Sequence, residues 1–386
     1  MRSNQSMGLD LGTSAVRAAE ISVGAAGPRL ERFAQIGLPP GALSGGAIRE
    51  PTAVTAALKR LRAVGQFRST HVALGVANER VMVRQVEVPW MPAAELRAAL
   101  AFHIQDSMPI PVEEAVLDYH PVEEFLDPGG SRMLRAFVVA ADTAMIQSIL
   151  SVVRAAGLRP TVVDLTAFAL LRVAALNQAA QTISPDSVMD LDEPARPAGP
   201  DTVTDLSQPA RPAGPDTVTE AVVDVGAAYT NVIVHSGGVP RFVQILPQGG
   251  DDVTDYLAER LSVARDDAEA RKRGTGHQPD QTPEEAHHQR QIQQAAIARL
   301  VAQISASLDH YRGEPGAQPL NRLVVSGGCT LLRGLPEQLR MASRLPVAPN
   351  TPMTLLPNES GLSARALKHG DPFVAVPLGL ALRMAA

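Results

Sequence analysis

The sequence contains a single cysteine, Cys329, among 386 residues. One thiol excludes an internal disulfide framework and is typical of proteins that fold in the reducing cytoplasm. An excess of basic residues is also missing, since the formal net charge is −5. A general nucleic-acid binder normally has a basic face, so we expect no nucleic-acid partner.

Long apolar segments are absent as well. No uninterrupted apolar run approaches the roughly 20 residues of a membrane-spanning helix, and the first six residues are polar, unlike a secretory leader. We therefore expect a soluble, cytoplasmic protein without a membrane span. With 45% hydrophobic and 19% charged residues, the chain is long enough for two globular lobes, each with its own core.

Strand-like and helical patterns alternate along the first half of the chain, which favours an α/β class. Strand-like runs occupy residues 7–21, 30–38, 71–76 and 81–88, and a helical pattern occupies 51–64. From about 84 to 163 the pattern becomes helix, two strands and helix, at 93–105, 115–121, 133–140 and 143–156. This predicts an inserted α/β subdomain within a first lobe at 1–180.

Residues 181–219 contain one eleven-residue segment twice, at 194–204 and at 209–219. The segment is rich in proline and has no periodic apolar face, so it cannot bury enough surface to become ordered. We expect 181–219 to be a disordered surface loop, tolerated rather than functional, followed by a second lobe at 220–386.

The first motif that carries chemistry is a glycine turn between two strand-like runs, Gly8-Leu9-Asp10-Leu11-Gly12-Thr13-Ser14. A phosphate needs backbone N–H groups at short range, and glycine lets the backbone approach that closely. Thr13 and Ser14 add hydroxyl donors, and the carboxylate of Asp10 suits Mg²⁺ held through water. Taken alone the motif is weak, because an ordinary glycine turn has the same residues.

A second copy of this motif begins at Val222 and places Asp224 and Gly226 where the first has Asp10 and Gly12. Asp10 lies in the first predicted lobe and Asp224 in the second, so each lobe has one copy of the motif. Two such hairpins facing each other would clamp phosphates and a metal from both sides, so the pair is much more specific than either copy.

The third motif is a strand that runs into Gly327-Gly328 and then, by prediction, directly into a helix. The helix N-terminus and the bare glycine backbone would face a nucleoside. An ordinary strand–helix turn is the alternative interpretation.

In this order, the three motifs resemble the superfamily of actin, Hsp70 chaperones and sugar kinases. Within it the chain is similar to the PilM family of type IV pilus assembly and, more distantly, to FtsA. The segments that narrow the resemblance are Val88–Pro92, Glu95–Ala99, Met108–Glu114, Leu117–Tyr119, Ala155–Pro160, Gln248–Gly250 and Pro372–Arg383. The resemblance implies an actin-like, ribonuclease H-like duplicated fold, with two lobes around a nucleotide cleft and the chain end at about 372–386 returning to the first lobe.

The same resemblance implies ATP and Mg²⁺ as ligands. Its phosphate-binding positions correspond to Gly12, Thr13, Ser14, Gly226, Ala227 and Thr230. Asp10 and Asp224 would approach the metal. The ribose and adenine side corresponds to Glu269, Lys272, Gly327, Gly328 and Cys329. For Glu269 and Lys272 a solvated helix face is the alternative.

One position departs from the family pattern. Relatives commonly carry a Glu-Pro pair where this chain has Thr166-Ala167. In the wider superfamily that glutamate helps to position the attacking water, and a threonine hydroxyl is far too weak a base to replace it. We therefore expect a protein that binds ATP and hydrolyses it slowly or not at all, and we assign no catalytic residue.

The resemblance also implies a partner, the N-terminal cytoplasmic peptide of the inner-membrane protein PilN, together with other inner-membrane pilus assembly components. These would recruit the protein to the inner face of the cytoplasmic membrane. The peptide would lie in a groove beside the inserted subdomain. Trp90 and Met91 there are either pocket residues or core residues.

Two other functions stay open at this point. A small-molecule kinase needs a base that deprotonates the acceptor hydroxyl, and the candidate carboxylates are those of Asp10, Asp164 and Asp224. A division protein like FtsA would end in an amphipathic membrane helix, for which the last residues of this chain carry too little charge and length.

Overall fold

The computed structural model describes residues 4–25, 27–104, 111–182, 217–275 and 282–385. The elements before the gap at 183–216 are, in chain order, β1 (Asn4–Leu11), β2 (Ala15–Gly24), β3 (Gly27–Gly37), β4 (Leu43–Ser44), β5 (Ala47–Ile48), α1 (Pro51–Gly65), β6 (His71–Val76), β7 (Val81–Pro89), α2 (Ala93–Ile104), β8 (Ala115–Leu126), β9 (Arg132–Asp142), α3 (Thr143–Ala155), β10 (Arg159–Leu165) and α4 (Thr166–Thr182).

The elements after the gap are β11 (Thr219–Val225), β12 (Thr230–Ser236), β13 (Val239–Leu246), α5 (Gly250–Leu261), α6 (Arg265–Arg273), α7 (Pro283–Gly313), β14 (Arg322–Ser326), α8 (Leu335–Ser343), β15 (Val347–Pro349), α9 (Pro352–Leu355) and α10 (Ala364–Ala385). Most of the predicted loop at 181–219 lies outside the described residues. Within the parts of the chain that the structure describes, no helix combines the length and the apolar character needed to span a membrane.

Two five-stranded sheets follow the same plan. In the first, β1, β2 and β3 form an antiparallel meander, and β6 and β10 continue the sheet in parallel from β1. In the second, β11, β12 and β13 form the meander, and β14 and β15 continue it in parallel from β11. The repetition confirms the predicted two-lobed duplicated α/β fold.

The burial of the central strands explains why their apolar sequence patterns predicted strands clearly. Every residue of β11 and β12 is buried, as expected where helices cover both faces of a sheet and the strands become continuous apolar runs. The first lobe follows the same logic, and Met7, Leu9, Val72 and Leu74 are fully buried there. The second lobe has a separate hydrophobic core, and the core of the first lobe extends into the second lobe through Val222, Ile233, Val239, Val243 and Val324.

The inserted unit is a three-stranded antiparallel sheet in the order β7-β9-β8, with α2 packed against one face. It begins at Val81 and ends at Asp142, so the predicted range of 84–163 is too long at its C-terminal end. The predicted helix at 143–156 is α3, whose buried side chains belong to the first-lobe core, and β10 pairs with β6 of the first sheet. A local pattern cannot show which sheet a strand joins.

The last helix, α10, packs against β1 and α4 of the first lobe through two glycines. A Cβ added at Gly8 would lie 2.0 Å from the carbonyl oxygen of Pro377, and one added at Gly379 would lie 1.9 Å from that of Ala169. Only glycine permits backbones to approach this closely. Arg172 of α4 also donates to the carbonyl oxygen of Gly379 at 3.0 Å.

Candidate functional site

A cavity of about 610 Å³ lies between the two lobes, and the tips of both hairpins contribute to its wall. Twelve of the predicted site residues line it: Asp10, Gly12, Thr13, Ser14, Asp224, Gly226, Ala227, Glu269, Lys272, Gly327, Gly328 and Cys329. Residues more than three hundred positions apart in sequence thus meet at one place, because each hairpin projects from the equivalent edge of its own sheet.

Thr230 is the exception, and its predicted phosphate contact is wrong. Its side chain is fully buried and its Oγ1 donates to the carbonyl oxygen of Gln248 at 2.8 Å. Successive residues of a strand point to opposite faces, so the neighbours Tyr229 and Asn231 line the cavity instead. Thr230 therefore supports the turn at Gln248 rather than a ligand.

The first hairpin closes with the amide of Gly12 donating to the carbonyl oxygen of Ala15 at 3.1 Å. Asp10 and Arg17 are directly paired across β1 and β2, and Nη1 of Arg17 lies 3.2 Å from Oδ2 of Asp10. The guanidinium also stacks 5.2 Å from the ring centre of Phe373 in α10. A cation and an aromatic ring that were not predicted from the sequence therefore belong to this wall of the cavity.

The second hairpin is supported by the glycine pair at the start of α5. The amide of Gly250 donates to the carbonyl oxygen of Gly226 at 3.0 Å, and the amide of Asp251 donates to that of Ala227 at 2.8 Å. A Cβ at Gly249 would lie 2.4 Å from the Ala227 oxygen. The start of α5 thus fixes the hairpin tip through two backbone hydrogen bonds, and Gly250 and Asp251 themselves line the cavity.

The two motif carboxylates create an electrostatic cost at the cavity. Burial, and then the nearby charge of Asp10, raises the pKa of Asp224 from 3.8 to about 6, and Ser326, Arg17 and Asn231 offset only part of this. Burial also raises the pKa of Asp10, against the opposing charge of Arg17. Two desolvated carboxylates acting on each other are an arrangement that a cation would relieve.

A buried polar atom near Asp224 also lacks a partner among the described residues. Oδ1 of Asn231 accepts no hydrogen bond from them, although buried polar groups are normally paired. Among the described residues, no group of three or more His, Cys, Asp and Glu side chains is arranged to hold a metal. Two carboxylates, with water and phosphate oxygens completing the shell, nevertheless fit the way Mg²⁺ is usually bound.

Next to the second hairpin, the cavity wall contains a charge network built on α6. Nζ of Lys272 contacts Oε2 of Glu269 at 2.6 Å, Oγ1 of Thr254 at 2.7 Å and the carbonyl oxygen of Gly250 at 2.9 Å. The Lys272 side chain is only 7% exposed, unlike one on a solvated helix face. Burial raises the pKa of Glu269, but the hydrogen bonds from Lys272 and Thr254 outweigh it, and the net pKa falls to about 2.

The third motif differs from its predicted form. A short 3-10 turn, Gly328–Leu331, follows β14, and α8 begins only at Leu335. Gly327 has φ 87, and a Cβ there would lie 2.3 Å from the carbonyl oxygen of Val225. Sγ of Cys329 donates to the carbonyl oxygen of Gly226 at 3.1 Å, and burial raises the pKa of this thiol to about 12. The cavity wall here is glycine backbone and an inert thiol.

Thr166 lines the cavity at the first position of α4 and is buried. A Cβ added at Gly75 would lie 3.1 Å from its Oγ1. The carboxylate nearest in sequence, Asp164, forms a short ion pair with Arg172. The described part of this wall therefore presents a hydroxyl, and Asp164 is held by a guanidinium.

Among the further residues of the cavity wall are four with polar or aromatic side chains beside the motifs: Arg17, Tyr229, Asn231 and Phe373. Strand alternation around Thr230 would have found Tyr229 and Asn231, and hairpin pairing would have placed Arg17 opposite Asp10. Nothing local to Phe373 indicates the cavity, because α10 reaches it through the fold.

Comparison with known proteins agrees with the predicted resemblance. The model of a family described as type IV pilus assembly protein PilM matches residues 8–191 and 187–385. A solved structure of a PilM-PilN type IV pilus biogenesis complex is similar, with a TM-score of 0.78 and 25% identity over 99% of this chain and 98% of that chain. Ethanolamine utilization protein EutJ from Carboxydothermus hydrogenoformans has a TM-score of 0.53 at 13% identity, covering 99% of this chain and 90% of that one, and supports the fold alone.

Proposed function

The chain belongs to the PilM family of type IV pilus assembly proteins, and we propose that it is a nucleotide-loaded scaffold that binds the N-terminal cytoplasmic peptide of PilN. The observation that carries the proposal is the cleft itself. It has two phosphate-type hairpins from two lobes and a threonine at the position where relatives commonly have an acid. Such a site suits a ligand that stabilises one arrangement of the lobes.

ATP with Mg²⁺ is the ligand that we propose for the cleft. The glycine backbones at Gly12 and Gly226 leave room for phosphate oxygens, and Thr13 and Ser14 offer hydroxyl donors. Asp10 and Asp224 would hold the metal through water, which would favour their ionised forms despite burial. When bound, the metal would supply neutralisation of phosphate charge. Glu269 would accept a ribose hydroxyl.

Slow or absent hydrolysis is the second part of the proposal. Thr166 cannot take a proton from water at neutral pH, and Asp164 is held by Arg172. The Asp164–Arg172 ion pair also weighs against a kinase that uses Asp164 as its base, and the other two candidates, Asp10 and Asp224, are assigned to the metal in this proposal. The burial of α10 in the first lobe weighs against its use as an amphipathic membrane helix of the FtsA kind.

The inserted unit is the proposed site of peptide binding, in a groove beside the sheet. Trp90 at the end of β7 is 37% exposed, so it is not a core residue. Its Nε1 donates to Glu124 at 2.9 Å, and the guanidinium of Arg132 lies 3.8 Å from the ring centre. An aromatic surface held in place by polar neighbours is suited to binding an apolar peptide side chain.

Co-purification with a synthetic PilN cytoplasmic peptide, with and without ATP and Mg²⁺, tests the scaffold. We expect the peptide to be retained and a scrambled peptide to be lost. Absence of a complex under both conditions would overturn the scaffold proposal.

Calorimetric titration with ATP tests the cleft separately. We expect Mg²⁺-dependent binding in the wild type and about tenfold weaker binding in Asp10→Asn. The matched control is Asp309→Asn, an exposed acid on α7 whose neighbour is Arg312. Equal affinities in all three proteins would contradict the proposed metal position, and no binding to the wild type would contradict the ligand.

A further inference from the structure

The inserted sheet has one face with two different halves. The face opposite α2 has an apolar half, where Val83, Phe137 and Val139 join the first-lobe core. Further along β7 and β9 the same face has charged side chains. Glu87 and Glu123 both lie opposite Arg135 in the strand register.

The inserted sheet meets the second lobe where β7 contacts β13, and one carboxylate of the charged half forms an ion pair there. Oε1 of Glu123 forms a short ion pair with Arg135 within the sheet. Oε2 of Glu123 lies 3.5 Å from Nη1 of Arg241 in β13. Glu87 contacts Nη2 of Arg135 at 2.7 Å on the outer side. A continuous chain of charges therefore runs from the inserted sheet to the edge strand of the second lobe.

The ion pair is one part of this contact that can separate without leaving a charge unpaired. The side chains of Arg241 and Glu123 are 19% and 27% exposed, and Nε of Arg241 is buried without a hydrogen bond to any residue that the structure describes. If Arg241 moved away, Glu123 would still be neutralised by Arg135, so no unpaired buried charge would be left behind. The apolar contact with the first lobe has no such substitute, because its separation would expose hydrophobic surface.

Strand β13 is connected to the cleft through its hydrogen-bonded neighbour β12. It pairs along its length with β12, for example Val234 with Phe242, and β12 is an arm of the second hairpin. A ligand held between the hairpins acts on β12, and a hydrogen-bonded sheet moves as a unit. The position of Arg241 is thus linked to the occupant of the cleft.

We propose that the Arg241–Glu123 ion pair is a latch that transmits lobe closure around the cleft ligand to the inserted sheet. The inference rests on the proposed function, since it assumes a nucleotide in the cleft and a partner at the inserted unit. The inserted unit stays attached to the first lobe, and the latch engages the second lobe in the closed arrangement. The coupling is reciprocal. If bound nucleotide favours formation of the ion pair by a certain factor, loss of the ion pair weakens nucleotide binding by the same factor.

The test measures ATP affinity by calorimetry in the full chain for the wild type, Arg241→Met, Glu123→Gln and the double variant. We expect each single variant to weaken ATP binding about two- to fivefold, the range typical of a partly exposed ion pair. The double variant should be no weaker than the singles, because one interaction is lost in all three. Arg241→Lys keeps the charge and should recover most of the affinity.

Hydrogen exchange of the β8 and β9 amides, with and without ATP, is the second measurement. ATP should slow this exchange in the wild type and leave it unchanged in Arg241→Met. The matched control is Arg97→Met, which removes an ion pair of the same length, 3.5 Å to Asp118, within the inserted unit. We expect the control to behave as the wild type in both measurements.

Three results would overturn the latch: unchanged ATP affinity in both single variants, strictly additive losses in the double variant, or an equal effect of Arg97→Met. Failure of the proposed function looks different, because the wild type itself would then bind no ATP. That outcome would remove the ligand and the latch together.

Discussion

Replacement of Asp224 by asparagine should stabilise the ligand-free protein, although the residue belongs to the proposed metal site. Asp224 is buried, and its pKa is raised from 3.8 to about 6. A carboxyl with a raised folded-state pKa binds its proton more tightly in the folded than in the unfolded protein. Its contribution therefore favours the folded state at low pH and is lost as the pH rises from about 4 to about 6.

The size of the effect follows from the shift. One pKa unit corresponds to about 1.4 kcal/mol, so ionised Asp224 costs about 3 kcal/mol in the folded state above pH 7 and about 1.6 kcal/mol at pH 5. Asparagine has nearly the same shape and never ionises. Asp224→Asn should then raise the free energy of unfolding at pH 8 by up to about 3 kcal/mol, and by about half of that at pH 5.

Urea denaturation of both proteins without nucleotide at pH 5 and pH 8 measures the difference. Because the charge of Asp10 contributes to the shift, Asp10→Asn and Asp224→Asn should stabilise less together than the sum of their separate effects. Addition of ATP and Mg²⁺ should reverse the ranking, since the variant loses a metal-facing carboxylate. A stability change that is negative, or equal at the two pH values, would refute the electrostatic account.

Three further predictions concern other parts of the molecule. Thr166→Glu should raise ATP turnover at least tenfold from a wild-type rate below about 1 s⁻¹, measured as phosphate release at saturating ATP; an unchanged rate would mean that this residue does not limit hydrolysis. Gly8→Ala should cost about 1–3 kcal/mol in urea denaturation, because its Cβ would meet the Pro377 carbonyl oxygen at 2.0 Å. Gly24→Ala, whose Cβ would meet no atom of the described residues within 4 Å, should be close to neutral, and equal costs would count against close packing of α10. Cys329, buried with a pKa of about 12, should resist iodoacetamide at pH 8 in the folded protein and react in urea, and rapid alkylation of the folded chain would contradict its burial.

Local sequence patterns predicted most of the secondary structure. The strand predicted at 71–76 has those bounds in β6, and the helical pattern at 51–64 forms α1 with one added residue. These predictions are correct because apolar spacing reports directly on which face of an element is buried. The hairpins at Asp10 and Asp224 were predicted for the same reason, with glycine marking each turn.

The candidate site was predictable where the residues of one local motif fix its geometry without help from the rest of the chain. The glycine and aspartate positions of the two hairpins line the cavity, because Asp-x-Gly places carboxylate and bare backbone at a strand end. The prediction for Thr230 is wrong because the motif fixes the order of the residues, whereas strand alternation decides that Tyr229 and Asn231 face the cavity. The 3-10 turn after Gly327 and the contact of Phe373 depend on how α10 meets β14, which no local window contains.

The sequence by itself determined the two-lobed α/β plan, the paired hairpins and the absence of an acid at Thr166, since these depend on residue type and spacing along one segment. Only the tertiary structure decided where the inserted unit ends, which wall residues join the motifs, and that Glu123 meets Arg241. Those outcomes depend on contacts between segments far apart in the chain, where packing and electrostatics, rather than local periodicity, select the partner.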